Sequence, residues 1–239
     1  MPMTPGLTVL LITAASIGFF HTLFGPDHYL PFIVMARVRK WSLTKTALIT
    51  ILCGIGHIGS SVVLGMVGIA MGIAVKQLKL VESFRGNLAA WALIAFGLVY
   101  FVWGLRRAWR NRPHHHIHAH MDGDTHVHEH IHTEEHLHIH SKENVVNLTP
   151  WILFTIFLFG PCEPLIPILM YPAAQDSIYG LVLVTTVFGS VTILTMLGVV
   201  LSATMGISFL PMVHLERYSH ALAGATIFLC GIAIQFLGL

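Results

Sequence analysis

Apolar stretches run in blocks along the chain, separated by shorter polar ones. Six blocks are long enough to cross a bilayer, which takes about 20 apolar residues. They cover residues 7–35, 44–75, 88–109, 148–174, 178–205 and 213–239. None shows the strict alternation of a half-buried strand, so each is read as helix. The first block is too long for one straight span at about 1.5 Å per residue. It carries Gly25-Pro26 in its middle, and the fourth carries Gly160-Pro161. Proline removes a backbone donor and disfavours the α conformation before it, so both blocks are predicted to break there.

Composition agrees with a membrane location. Hydrophobic residues make up 55% and charged residues 10% of the 239-residue chain, where a soluble domain carries about 25% charged residues. Mean hydropathy is +0.75. No charged leader or cleavage site precedes the first block, so it reads as a span and not as a removed signal peptide. The three cysteines, Cys53, Cys162 and Cys230, form no CxxC pair and no disulfide framework. The net charge of +2 says little about partners, and nothing points to nucleic acid.

The basic residues orient the chain. Arg37, Arg39, Lys40, Lys45, Arg106, Arg107, Arg110, Arg112, Lys142 and Arg217 fall on one side of the six blocks. Lys76, Lys79 and Arg85 fall on the other. The positive side is expected in the cytoplasm. This predicts a multi-pass protein of the cell (inner) membrane with both termini outside and the loop 111–147 inside.

The two halves repeat. LFGPDHYL at 23–30 matches LFGPCEPL at 158–165, placing Asp27 on Cys162 and His28 on Glu163. The third and sixth blocks align as well, with Glu82 on Glu216, Gly97 on Gly231 and Gly104 on Gly238. Three blocks per half would turn the second half over relative to the first, an inverted repeat common in secondary transporters. The expected fold is an all-α polytopic membrane protein. Residues 1–110 and 148–239 form the two three-helix repeats, each with a broken first helix, and 111–147 form a disordered loop.

Intramembrane ionisable groups are costly and mark function. His21, Asp27 and His28 lie in the first block, His57 in the second, and Cys162 and Glu163 in the fourth. These groups offer imidazole, carboxylate and thiol; imidazole suits Zn, Cu, Fe and Ni, while a purely hard oxygen cage would suit Mg or Ca. On a continuous helix His21 and His28 would stand about 10 Å apart, too far for one ion. A bend at Gly25-Pro26 would bring them together; otherwise they mark two stations on a path. Asp27 would bind the ion directly or orient a histidine. The plainer alternative is that these groups satisfy one another, or exposed carbonyls, at a kink. His57, flanked by Gly54, Gly56 and Gly59, is either a ligand or a packing hydrogen bond. Thr185, Thr186, Ser190, Thr192 and Thr195 are expected to bond their own helix.

The loop between the halves holds twelve of the 17 histidines: His114, His115, His116, His118, His120, His126, His128, His130, His132, His136, His138 and His140. Such a tract reads as metal-capturing, with imidazoles mostly neutral near pH 7; a pH-sensing loop is the alternative. It does not set the direction of transport. No GxxxxGK[ST] motif is present, so ATP hydrolysis is not expected; the HExxH match at His128 to His132 falls inside the histidine tract, and zinc-protease chemistry is not expected.

The stretch from His21 through Gly25-Pro26-Asp27-His28 resembles the nickel/cobalt transporter superfamily, in particular its UreH-like branch. Classical importers of that superfamily space the motif one residue closer. The histidine-rich loop and Gly-Pro-Cys162 are similar to features of its RcnA-type exporters. The resemblance implies transport of divalent transition metal as substrate, nickel or cobalt first and zinc next. It implies no organic cofactor and no enzymatic activity, and carries His21, Asp27 and His28 as motif residues. Export from the cytoplasm is the favoured direction, with import to supply a nickel enzyme as alternative. Protons are a candidate coupling ion, lipid and metal ions the expected partners, and a homo-oligomer is compatible. DsbD/CcdA-like electron carriers share Gly-Pro-Cys162 but need a second cysteine, where this chain has Asp27. TauE-like anion exporters need a basic path, and this one is acidic and imidazole-rich.

Overall fold

The computed structural model describes residues 5–110, 114–119, 125–130, 149–160, 162, 164–174, 177–208 and 216–237. Its membrane body is all-helical, and five helices are long and apolar enough to cross a membrane. In order the helices are α1 (Pro5–Phe24), α2 (Leu30–Val38), α3 (Leu43–Ala70), α4 (Val75–Arg110), α5 (Thr149–Phe159), α6 (Leu165–Ala174), α7 (Ile178–Ser208) and α8 (Ser219–Leu237). Many large apolar side chains face outward, among them Val9, Phe24, Ile55, Val99, Leu194 and Leu229. That is the surface of a protein solvated by lipid.

Both predicted breaks are present. The Gly25 amide closes α1 onto the His21 carbonyl at 3.0 Å, and Gly25 itself is extended (φ −86°, ψ 97°). A single 3₁₀ turn, Pro26–His28, leads into α2. In the fourth block α5 stops at Phe159 and α6 starts at Leu165. In an unbroken helix the Cys162 amide would bond the Leu158 carbonyl. Here it donates to Ser61 Oγ on α3 at 3.2 Å.

The third block begins earlier than its hydropathy suggests. Helix α4 starts at Val75, so Lys76, Lys79, Glu82 and Arg85 are helical and not part of a loop. Glu82 is fully buried and pairs with Arg85 one turn on, at 2.9 Å. The pair neutralises itself inside the helix, where a hydropathy scan counts only charge. At the other end of α3, Ser42 caps the helix by accepting from the Lys45 amide. Gly72, at φ +64°, turns the chain into α4.

Helices α4 and α8 run antiparallel in backbone-to-backbone contact. Gly97 meets Phe228, Gly104 meets Ala221, Gly224 meets Phe101 and Gly231 meets Ile94. Small residues permit this approach. Helices α1 and α2 both pack on α7, while α5 and α6 both pack on α3. Two apolar clusters result. One centres on Phe32, Met35, Cys53, Phe157 and Met196; the other on Ala14, Ile58, Leu165, Leu169 and Phe188. Outside the membrane body, β1 (His114–Ala119) and β2 (Thr125–His130) pair antiparallel.

Candidate metal centre

The two breaks meet at the middle of α3. The 3₁₀ turn carries His28 in from the first block, the α5–α6 break carries Cys162 from the fourth, and α3 supplies His57 between them. The His28 ring lies 4.9 Å from the His21 ring and 5.0 Å from the His57 ring, edge-on to both. The bend at Gly25-Pro26 therefore halves the separation a straight helix would impose. His28 and His57 are each 2% exposed, and Cys162 is fully buried.

One ligand atom each from His21, His57 and Cys162 lie within 4.8 Å of one another. A tetrahedral ion held at about 2.0–2.3 Å sets its ligands about 3.3–3.6 Å apart. The three groups need to draw in by about an ångström to share an ion.

Hydrogen bonding fixes which atoms are available. His28 Nδ1 lies 2.9 Å from Asp27 Oδ1 and 3.2 Å from the Gly25 carbonyl. Both neighbours only accept, so Nδ1 carries the proton and donates it. Nε2 is thereby left as the ligating atom, and it has no partner. His21 Nε2 and His57 Nε2 are likewise buried and unpartnered, while His57 Nδ1 lies toward the Phe157 carbonyl. An unpaired buried polar atom costs about 1–3 kcal/mol, so Nε2 of His21, His28 and His57 at one spot suit a shared polar occupant. The plainer alternative holds for one side of His28, whose Nδ1 is satisfied at the kink by Asp27 and the Gly25 carbonyl. Asp27 is placed to orient His28.

A cavity of about 20 Å³, room for one water-sized occupant, opens beside Asp27 and His57 along Gly86, Ala89, Ala90 and Leu93 of α4. Gly160 keeps the break close to His57: a methyl group there would stand 3.1 Å from His57 Nδ1.

Glu163 and Pro161 lie outside the described residues. Of the loop histidines, His120, His132, His136, His138 and His140 also lie outside them. On the paired strands His114 is in register with His130, His116 with His128 and His118 with His126. Thr185, Thr186 and Thr195 bond their own helix as expected. Thr192 does not, and its buried hydroxyl has no partner. Sequence reading missed Ser61, which holds the Cys162 amide, and the Glu82–Arg85 pair beside it. Only the i, i+3 spacing of the two charges could have signalled the latter. No family model, curated protein or solved structure matches the chain.

Proposed function

We propose that this chain is a membrane transporter of divalent transition-metal ions, nickel or cobalt first and zinc next. We place it in the nickel/cobalt transporter superfamily. The observation that carries this reading is the convergence of the buried imidazoles of His21, His28 and His57, their Nε2 atoms unpartnered, with the Cys162 thiol where two broken helices meet. Nitrogen and sulfur donors of this kind select later transition metals over Mg or Ca. The ion sheds most of its water on entry and binds His21, His28, His57 and Cys162, with Glu163 as a further ligand. Asp27 holds His28 in the ligating tautomer. Binding needs neutral imidazole, so protons compete with metal and transport weakens as pH falls.

Two inverted three-helix repeats are part of this reading. Swapping first block for fourth, α3 for α7 and α4 for α8 maps one packing pattern onto the other. The pair α1 and α2 on α7 becomes α5 and α6 on α3. The contact of Gly97 with Phe228 likewise becomes that of Gly231 with Ile94. A site at the interface of such repeats is reached alternately from either side. The excess of basic residues puts the histidine-rich loop in the cytoplasm, where it collects ions for export.

The test is cellular metal content by elemental mass spectrometry. Cells expressing the native chain, His28→Ala or a deletion of residues 113–140 are each challenged with Ni, Co, Zn and Mn. A fall in one metal that His28→Ala abolishes supports export and names the metal. A rise abolished by the same change reverses the direction. No change in any metal with expression confirmed refutes the cation reading.

A further inference from the structure

A buried carboxylate–guanidinium pair sits beside this proposed cation site. Arg85 Nη1 pairs with Glu82 at 2.9 Å. Its Nη2 donates to Ser60 Oγ at 2.7 Å and to the Leu158 carbonyl at 2.9 Å. Ser60 Oγ in turn donates to the His57 carbonyl at 2.8 Å. Leu158 is the residue whose helical donor, the Cys162 amide, has been diverted to Ser61. The guanidinium therefore replaces a missing backbone donor at the negative end of the half-helix α5. It joins α3, α4 and α5 about one turn beyond His57 toward Gly72 and the α3–α4 turn.

Stability alone does not account for an ion pair here. A buried pair gains little over apolar packing, and a neutral amide would satisfy the Leu158 carbonyl as well. Glu82 offsets the guanidinium's charge at rest, so the use of the arginine lies in its position. The guanidinium is bonded to Ser60, on the α3–α4-turn side of His57, so a cation leaving that way would pass it. Moving Arg85 off Ser60 and Leu158 would clear that exit and turn the Glu82 carboxylate toward the ion.

We propose that Arg85, held by Glu82, is a latch that closes the cation site on the side of the α3–α4 turn. The inference rests on the transport reading for the identity of what passes. Its test does not, because it reads access to the Cys162 thiol.

The experiment uses the full chain carrying Cys53→Ser and Cys230→Ser, in sealed right-side-out and inverted vesicles with a membrane-impermeant maleimide. The face of the α3–α4 turn is identified with Met71→Cys in a parallel chain that also carries Cys162→Ser, since Met71 is 70% exposed. From that face Cys162 should be protected in the parent. Losing a hydrogen bond to a charged group is worth about ten- to hundredfold in an equilibrium. Arg85→Ala should therefore speed labelling from the Met71 face about tenfold or more, Glu82→Gln should do so to a lesser degree, and Arg85→Lys should keep most of the protection. A general loosening would instead raise labelling from both faces alike, and that result overturns the latch. So does unchanged labelling in Arg85→Ala, or a parent already labelled freely from the Met71 face. If Arg85→Ala is not recovered monodisperse in detergent, Glu82→Gln decides. Altered labelling without metal transport keeps the latch and rejects the cation reading; the reverse pattern does the opposite.

Discussion

Gly97→Ala and Gly198→Ala are the same chemical change in two helices, and the structure gives them opposite signs. At Gly97 an added methyl carbon would stand 2.7 Å from Phe228 Cα and 2.9 Å from the Ile227 carbonyl carbon. These are backbone atoms of α8 and cannot turn aside as a side chain can. Ordinary contact begins at 3.4 Å, so α4 and α8 must separate by roughly an ångström along their crossing. Overpacking of this kind costs about 1–3 kcal/mol. At Gly198 nothing lies within 4 Å of the added carbon. There the gain in helix propensity, about 0.5–1 kcal/mol, is unopposed. Reversible unfolding of purified protein in mixed micelles, titrated with SDS, should show Gly97→Ala destabilised and Gly198→Ala unchanged or stabilised. Gly224→Ala, which meets the Phe101 backbone in the same crossing, should behave like Gly97→Ala. The argument fails if Gly97→Ala unfolds at the same SDS fraction as the native chain.

Three further outcomes are expected. Asp27→Asn keeps a neutral acceptor for His28 Nδ1 but loses the charge, so metal affinity by isothermal titration should fall about 10- to 100-fold; unchanged affinity would remove Asp27 from the site. Thr192→Val should stabilise the fold by about 1 kcal/mol and leave transport intact, since it removes a buried hydroxyl that has no partner; a loss of transport would place Thr192 on the ion's path. Deleting residues 113–140 should slow transport at scarce external or cytoplasmic metal and leave the maximal rate intact, because tethered histidines raise local ion supply without altering the membrane site. A fall in the maximal rate would assign the loop a direct part in translocation.

Much of the centre was legible in residue types. His21, Asp27, His28, His57 and Cys162 stand out because each is expensive in lipid, and Gly-Pro marks where a helix must stop. What the sequence left open was whether His21 and His28 serve one ion or two. Spacing along a helix has no meaning across a break, and only the angle after Pro26 decides the 4.9 Å ring separation. Arg85 was read as a loop charge, because hydropathy sees its charge and not the carboxylate one turn back. Ser61 carried no signal at all: a serine in a glycine-rich helix has many uses, and its bond to the Cys162 amide is a tertiary fact. The close α4–α8 crossing was half visible, in glycines repeating between the third and sixth blocks.

The lengths of the half-helices carry an electrical consequence. Helix α5 has 11 residues and α6 has 10, about 16 and 15 Å at the usual rise. On the proposed transport reading, with the two half-helices end to end across the bilayer, Cys162 would sit near the halfway point of the membrane's voltage drop. A divalent ion entering that point from either face crosses half the potential with two charges, equivalent to one charge across the whole. That is worth about 2.3 kcal/mol per 100 mV, or roughly fiftyfold in occupancy. On that reading, the resting voltage of a polarised cell would favour loading the centre from outside and oppose loading it from within.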